Sequence, residues 1–114
     1  QINGFLSSVN PIALSRNINI LTENKRVLTS LDSDDFGQVL VLEVGATCVG
    51  SIINTYNPND PIMKGDEKGY FSFGGSAVIT LFEKNRIELD EDLLKHSSEG
   101  RELYAHMGDR LGLK

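Results

Sequence analysis

Residues 69–82 read Gly-Tyr-Phe-Ser-Phe-Gly-Gly-Ser-Ala-Val-Ile-Thr-Leu-Phe, in which glycines and a serine separate two runs typical of β-strands. Gly74 and Gly75 can adopt backbone conformations that a side chain forbids, and they let another group approach the peptide bond closely. The hydroxyl of Ser76 is therefore a candidate nucleophile for the carbonyl that precedes it. The residue types alone leave the simpler interpretation open, because a Gly-Gly-Ser sequence between strands is usually only a turn.

Working outward from this stretch, the dominant pattern is that of short strands separated by glycine-rich or polar turns. The sequence predicts a mainly β fold, a small sandwich or barrel-like domain that spans residues 1–114 as a single domain. One short helical turn is predicted near residues 90–95, where acidic residues stand at the N-terminal end of the helix. The predicted strands are residues 26–31, 39–44, 48–53, 70–73, 77–82 and 102–107.

Composition and charge narrow the classes of function. The chain of 114 residues is 39% hydrophobic and 24% charged, which is ordinary for a globular domain. Its net charge of -5 argues against a nucleic-acid partner and against electrostatic docking on anionic lipid. No apolar run approaches the ~20 residues that a membrane-spanning helix needs.

We expect neither the cysteine nor the histidines to form a metal or catalytic site. Cys48 is the single cysteine and stands in an apolar run, so we expect a small buried core residue. No Cys/His cluster has the spacing of metal ligands, and no metal is predicted. We expect His96 to be a solvated surface residue, and His106 to occupy a partly exposed position on the last predicted strand.

Several segments along the chain together resemble the phosphatidylserine decarboxylase family, in the family's order and at familiar spacings. The resemblance covers nearly the whole chain, and it implies a domain of the barrel-sandwich hybrid type. The matching segments are Ser8-Val9-Asn10-Pro11, Asn24-Lys25-Arg26-Val27, Val44-Gly45-Ala46-Thr47-Cys48-Val49-Gly50-Ser51-Ile52, Lys64-Gly65-Asp66-Glu67-Lys68-Gly69-Tyr70-Phe71, Phe73-Gly74-Gly75-Ser76 and Asp90-Glu91-Asp92-Leu93-Leu94.

The resemblance implies that a proenzyme cuts itself between Gly75, which supplies the scissile carbonyl, and Ser76, which is the nucleophile. Phe73 and Gly74 would form the supporting turn. Ser76 would become a pyruvoyl group, the cofactor with which the family decarboxylates phosphatidylserine to phosphatidylethanolamine. The implied partners are phosphatidylserine, the second of the two cleaved chains and a membrane, and a homodimer is compatible with the resemblance.

The sequence also departs from the family's pattern. Ala77 stands where the family usually has Thr or Ser, so any help from that hydroxyl in cleavage is lost. Family members are well over twice this length, and their N-terminal part carries the aspartate and histidine that assist cleavage. We therefore expect the C-terminal portion of the enzyme, inactive by itself, with peripheral membrane contact made through the missing N-terminal part, on a bacterial inner membrane or a eukaryotic organelle membrane.

Two alternatives remain open at the level of sequence. The first is a member of the same family that decarboxylates a soluble amino acid. The second is a non-catalytic β-sandwich that retains the motif but serves as a binding or assembly module. The state of the bond between Gly75 and Ser76 separates the second alternative from an enzyme.

Overall fold

A computed structural model describes residues 1–73 and 76–114. The described strands form a three-stranded sheet in the order β1-β2-β5 and the two-stranded sheets β3-β4 and β6-β7, without closing into a barrel, and the prediction of a mainly β chain is confirmed. In chain order the elements are α1 (Pro11–Arg16), α2 (Ile20–Glu23), β1 (Arg26–Ser33), β2 (Gly37–Val44), β3 (Ser51–Asn54), β4 (Gly69–Ser72), β5 (Ala77–Phe82), β6 (Glu88–Leu89), α3 (Glu91–Ser98) and β7 (Gly112–Leu113).

The chain divides into two compact units. Unit 1 contains Gln1–Thr29 and Val41–Thr80, and unit 2 contains Ser30–Leu40 and Leu81–Lys114. Ser76 and the strand β4 that precedes it belong to unit 1.

Two short helices near the N-terminus were not predicted from the sequence. Pro11 occupies the first turn of α1, and the side-chain oxygen of Asn10 accepts a hydrogen bond of 2.8 Å from the Ala13 amide. Both features favour a helix start. Proline has no backbone N–H that would be left unpaired in the first turn, and the asparagine side chain accepts a hydrogen bond from a first-turn amide that has no partner within the helix. Within residues 1–73 and 76–114, no helix has the length and apolar character needed to cross a membrane.

The core of unit 1 combines small apolar side chains with two buried polar residues. Asn24 and Glu43 are the buried polar residues, and each is held by partners described below. Strand β3 pairs with β4 in antiparallel register, so that Ser51 lies opposite Ser72. This pairing positions the end of β4, from which the chain continues into the Gly-Gly-Ser stretch. The buried apolar residues of unit 1 are Ile20, Val27, Val44, Ala46 and Val49.

The prediction for Cys48 was wrong, and so was the start of the strand assigned to residues 48–53. Ala46 and Val49 exchange backbone hydrogen bonds of 3.1 and 2.8 Å, which closes a tight turn between them. Cys48 lies in that turn with φ of 64°, and its side chain is exposed. The turn directs Ala46 and Val49 into the core, so the strand begins only at Ser51.

In unit 2, helix α3 confirms the helical turn predicted near residues 90–95 and extends it to Ser98. Asp90 precedes the helix, and its carboxylate accepts hydrogen bonds of 2.9 and 2.8 Å from Nε of Arg110. This hydrogen bond and the negative charge of Asp90 raise the pKa of Arg110. The pair fastens the segment before β7 to the start of α3, close to the pairing of β6 with β7.

The strand predicted over residues 102–107 is not formed. The Arg101 amide donates a 2.9 Å hydrogen bond to the His96 carbonyl, so the chain leaving α3 is still bonded to the helix end. Further on, the His106 amide donates to the Asp109 carboxylate at 2.7 Å, which favours a turn over an extended strand. Strand β6 pairs with β7, and His106 is exposed outside any strand.

Candidate active site

The candidate site lies where the chain passes from β4 to β5. Phe73 follows β4 with φ of 67°, in the left-handed region that is unfavourable for a residue with a side chain. Its ring is 86% exposed, so little packing offsets a conformational cost of about 1–2 kcal/mol. Gly74 and Gly75, for which the resemblance implies roles in the supporting turn and as the scissile carbonyl, lie outside the described residues. The strained residue therefore stands directly before the two glycines.

Ser76 is half-buried and directly precedes the first residue of β5. Its hydroxyl donates a hydrogen bond to the backbone carbonyl of Val44, the last residue of β2. Val44 is fully buried, so this acceptor is a fixed point in the core of unit 1. The predicted nucleophile is thus held by a group on a neighbouring strand of the same sheet.

The peptide that links Val44 to Gly45 is held on its other side as well. The amide of Gly45 donates a 2.7 Å hydrogen bond to the Lys25 carbonyl. A Cβ atom on Gly45 would lie 3.0 Å from the Val49 carbonyl and 3.2 Å from both Leu6 Cδ2 and the Lys25 carbonyl. Because a side chain at this position would crowd its surroundings, glycine allows the peptide to sit where it meets the hydroxyl of Ser76.

A partly buried ion pair lies beside this peptide, and sequence reasoning missed it. Lys68 Nζ is 2.5 Å from Glu43 Oε1 and 3.1 Å from the side-chain oxygen of Asn54. The same ammonium lies 5.3 Å from the ring centre of Tyr56. Glu43 Oε2 is buried and has no hydrogen-bond partner among residues 1–73 and 76–114. The one available signal was an acidic residue inside the otherwise apolar run of β2.

In the described part of the chain, the Ser76 hydroxyl donates to a backbone carbonyl. A carbonyl can orient a hydroxyl, but it does not act as a general base. Both histidines belong to unit 2. His96 was predicted to be a solvated residue; it is half-buried and borders an apolar hollow lined by Leu93 and Leu103. His106 is exposed, with Nδ1 3.5 Å from the Asp109 carboxylate.

The residues around Ser76 therefore suit one chemical task better than others. They hold a serine hydroxyl at the start of a strand, next to a glycine pair and a strained residue. Within residues 1–73 and 76–114, no group of three or more His, Cys, Asp or Glu side chains is placed to hold a metal ion. An attack by Ser76 on the preceding carbonyl stays a prediction, because that carbonyl belongs to Gly75, which lies outside the described residues.

Comparison with known proteins gives a consistent result. The family model described as phosphatidylserine decarboxylase matches residues 1–113. A phosphatidylserine decarboxylase proenzyme of Clostridium botulinum strain Langeland is 53% identical over 114 residues, which cover 100% of this chain and 39% of the relative. Proenzymes of the same description from Clostridium tetani and Clostridium novyi are each 50% identical over 114 residues, covering 38% and 39% of their lengths. No solved structure matches. The chain thus spans about 39% of the length of the first curated relative it matches.

Proposed function

Because this chain belongs to the phosphatidylserine decarboxylase family, we propose that it is the C-terminal, catalytic portion of a proenzyme that cuts itself between Gly75 and Ser76. The mature enzyme then decarboxylates phosphatidylserine to phosphatidylethanolamine. The observation that carries the proposal is the placement of Ser76. Its hydroxyl is held at the start of β5 by the Val44 carbonyl, directly after the glycine pair.

The proposed self-cleavage proceeds in two stages. Ser76 Oγ attacks the Gly75 carbonyl, gives up its proton to a base, and the amide becomes an ester with a free amine on Ser76. Loss of the Ser76 α-proton then breaks the bond between Cβ and the ester oxygen, and Gly75 leaves as a carboxylate. The dehydroalanine that remains takes up water and releases ammonia, which yields the pyruvoyl group. These steps balance in atoms and electrons without an oxidant or a metal.

The surroundings of Ser76 fit such a group. A pyruvoyl group is no larger than the serine it replaces, and Ser76 is half-buried rather than solvent-exposed. When formed, the group supplies an electrophilic carbonyl that accepts the electrons left when carbon dioxide departs. The residues of β5 anchor it, because the strand that begins at Ala77 is paired with β2.

The pairing of β2 with β5 also supports the proposal that the two cleaved chains stay together. Cleavage would leave β2 in the larger product and β5 in the smaller one, and their shared sheet supports continued association of the two chains. The net charge of -5 does not favour contact between this portion and anionic lipid. We therefore assign the peripheral membrane contact to the remainder of the proenzyme, and we expect no nucleic-acid partner.

The experiment is a decarboxylation assay on the proenzyme that contains this chain. Carboxyl-labelled phosphatidylserine in vesicles should release labelled carbon dioxide, and Ser76→Ala should abolish the release. Ser72→Ala is the matched control, because Ser72 lies on β4 in the same unit and is also half-buried. Release from a free amino acid but not from the lipid would favour the soluble-substrate alternative. No release with any amine would favour the non-catalytic module.

A further inference from the structure

We propose that Asn24 is a positioning residue for self-cleavage, which it supports by fixing Gly45, the residue directly after the Val44 carbonyl that accepts the hydroxyl of Ser76. This inference rests on the proposed function, since it concerns the same bond between Gly75 and Ser76. It adds a residue that does not touch the reacting atoms. Asn24 acts through Gly45 and Val44, and each link in that relay is a hydrogen bond or a covalent neighbour.

Asn24 has the geometry of a buried structural amide. The residue is 0% exposed. Its Nδ2 donates hydrogen bonds of 2.7 Å to the Ser7 carbonyl and 2.8 Å to the Gly45 carbonyl. Its Oδ1 accepts one of 3.1 Å from the Ser7 amide. Both donor hydrogens are therefore used, and the side chain has little freedom to rotate.

These bonds join three separate stretches of unit 1. Ser7 belongs to the N-terminal segment, Asn24 stands just before β1, and Gly45 follows β2. The N-terminal segment is also fixed by backbone bonds, with the Lys25 amide donating to the Phe5 carbonyl at 2.8 Å. Asn24 therefore ties the end of β2 to a braced part of the unit rather than to a free loop.

The relay ends at the nucleophile. The Gly45 carbonyl is held by Asn24, and the Gly45 amide is held by the Lys25 carbonyl at 2.7 Å. The neighbouring carbonyl, that of Val44, is the acceptor of the Ser76 hydroxyl. With both ends of Gly45 fixed, the direction of the Val44 carbonyl is fixed too, and the hydroxyl keeps one orientation.

This orientation affects rate because an intramolecular attack depends steeply on geometry. A displacement of about 1 Å at the reacting atoms can cost about 100-fold in rate. Releasing Gly45 would let the Val44 carbonyl and the Ser76 hydroxyl move together. The first stage, in which the amide becomes an ester, should slow, because that stage needs Oγ to be aligned with the Gly75 carbonyl.

Asn24→Asp is the sharpest variant for a test. It keeps the shape of the side chain and the acceptor for the Ser7 amide, but a carboxylate has no hydrogen to donate to the Gly45 carbonyl. Val27→Ala is the matched control, because it removes buried apolar volume on β1 in the same unit without touching the relay. Ser76→Ala serves as the uncleavable reference.

The experiment follows cleavage of the proenzyme after synthesis in a cell-free system, with folding checked by thermal unfolding and with hydroxylamine added to open any ester. We expect Asn24→Asp to be cut about 100-fold more slowly than wild type. Val27→Ala should be cut at close to the wild-type rate, even if its melting temperature falls by as much as that of Asn24→Asp. Hydroxylamine should not speed cleavage of Asn24→Asp, because formation of the ester is the slow step in this variant.

Three results would overturn the proposal. The first is cleavage of Asn24→Asp at the wild-type rate. The second is that Val27→Ala is slowed as much as Asn24→Asp when the two variants lose the same amount of melting temperature. The third is rapid cutting of Asn24→Asp by hydroxylamine, which would mean that the ester forms normally and that the defect lies in a later step. If Asn24→Asp does not fold, Gly45→Ala is the second variant, because its Cβ would crowd the Val49 carbonyl and displace residue 45. Cleavage of Gly45→Ala at the wild-type rate would equally contradict the proposal. Absence of cleavage in the wild type would instead refute the proposed function on which it rests.

Discussion

The hydroxyl of Ser76 donates a hydrogen bond to the backbone carbonyl of Val44, and so joins the start of β5 to the end of β2. The contact spans 32 residues of sequence. It orients the hydroxyl of the proposed nucleophile, but a backbone carbonyl cannot act as the base that removes the hydroxyl proton. Orientation and activation are therefore separate tasks in this chain, and the predictions below separate them.

The isolated chain of 114 residues should remain uncut between Gly75 and Ser76. An unactivated hydroxyl is a poor nucleophile at neutral pH, and the acceptor that the described residues offer it is not a base. Intact-mass measurement after days at room temperature should give one species with an ordinary serine. Two pieces would mean that this chain already contains a sufficient base.

Ala77→Thr should speed cleavage of the proenzyme. Threonine suits the first position of β5, and its hydroxyl returns a group that the family usually has beside the reactive serine. One added hydrogen bond of about 1 kcal/mol corresponds to a rate about fivefold higher. The half-time of cleavage on a gel measures the effect. Ala77→Val has the same branched shape without the hydroxyl, and equal acceleration by valine would attribute the gain to shape alone.

Lys68→Met should destabilise the chain because it leaves the Glu43 carboxylate buried without its cation. The loss should be about 2–4 kcal/mol in the free energy of unfolding, somewhat below that of a fully buried pair since Lys68 is partly exposed. The double variant Glu43→Leu/Lys68→Met should return to within about 1 kcal/mol of wild type.

Urea unfolding of the isolated chain provides this measurement. Lys84→Met is the control, because Lys84 is exposed in unit 2 and its loss should change stability by no more than about 0.5 kcal/mol. If the double variant is as unstable as Lys68→Met, the apolar pair does not fit, and the ion pair is required for packing rather than for charge balance.

Vesicles of phosphatidylserine should not retain the isolated chain at physiological salt. The net charge of -5 opposes binding to an anionic surface. The proenzyme, in contrast, should co-sediment with the same vesicles through its remaining part. Equal retention of the isolated chain and the proenzyme would show that this portion itself supplies the membrane contact.

Much of the fold around the site was predictable from local patterns. Strands β2 and β5 follow from short apolar runs bounded by glycine or polar residues, and the order of motifs pointed to Ser76. The turn that exposes Cys48 was not predictable, because an apolar run of this length is equally compatible with a strand. The choice depends on which residues find a place in the core.

The two buried polar residues described in unit 1, Asn24 and Glu43, were not predictable for a different reason. Asn24 stands in a polar segment, where a solvated asparagine is the ordinary expectation, and its burial depends on partners at Ser7 and Gly45. Glu43 interrupts an apolar strand, but its cation comes from Lys68, which is 25 residues away. Contacts of this range arise from the arrangement of strands, which local periodicity does not determine.

The central claim is that Ser76 becomes the pyruvoyl terminus of a cleaved proenzyme, and intact-mass analysis of the purified proenzyme tests it most directly. We predict two chains, of which the larger ends at Gly75. The smaller should be lighter, by the mass of one ammonia molecule, than a chain that begins with serine at position 76. Ser76→Ala should give one uncut chain. A single chain in the wild type, or a smaller chain that begins with an unmodified Ser76, would contradict the account.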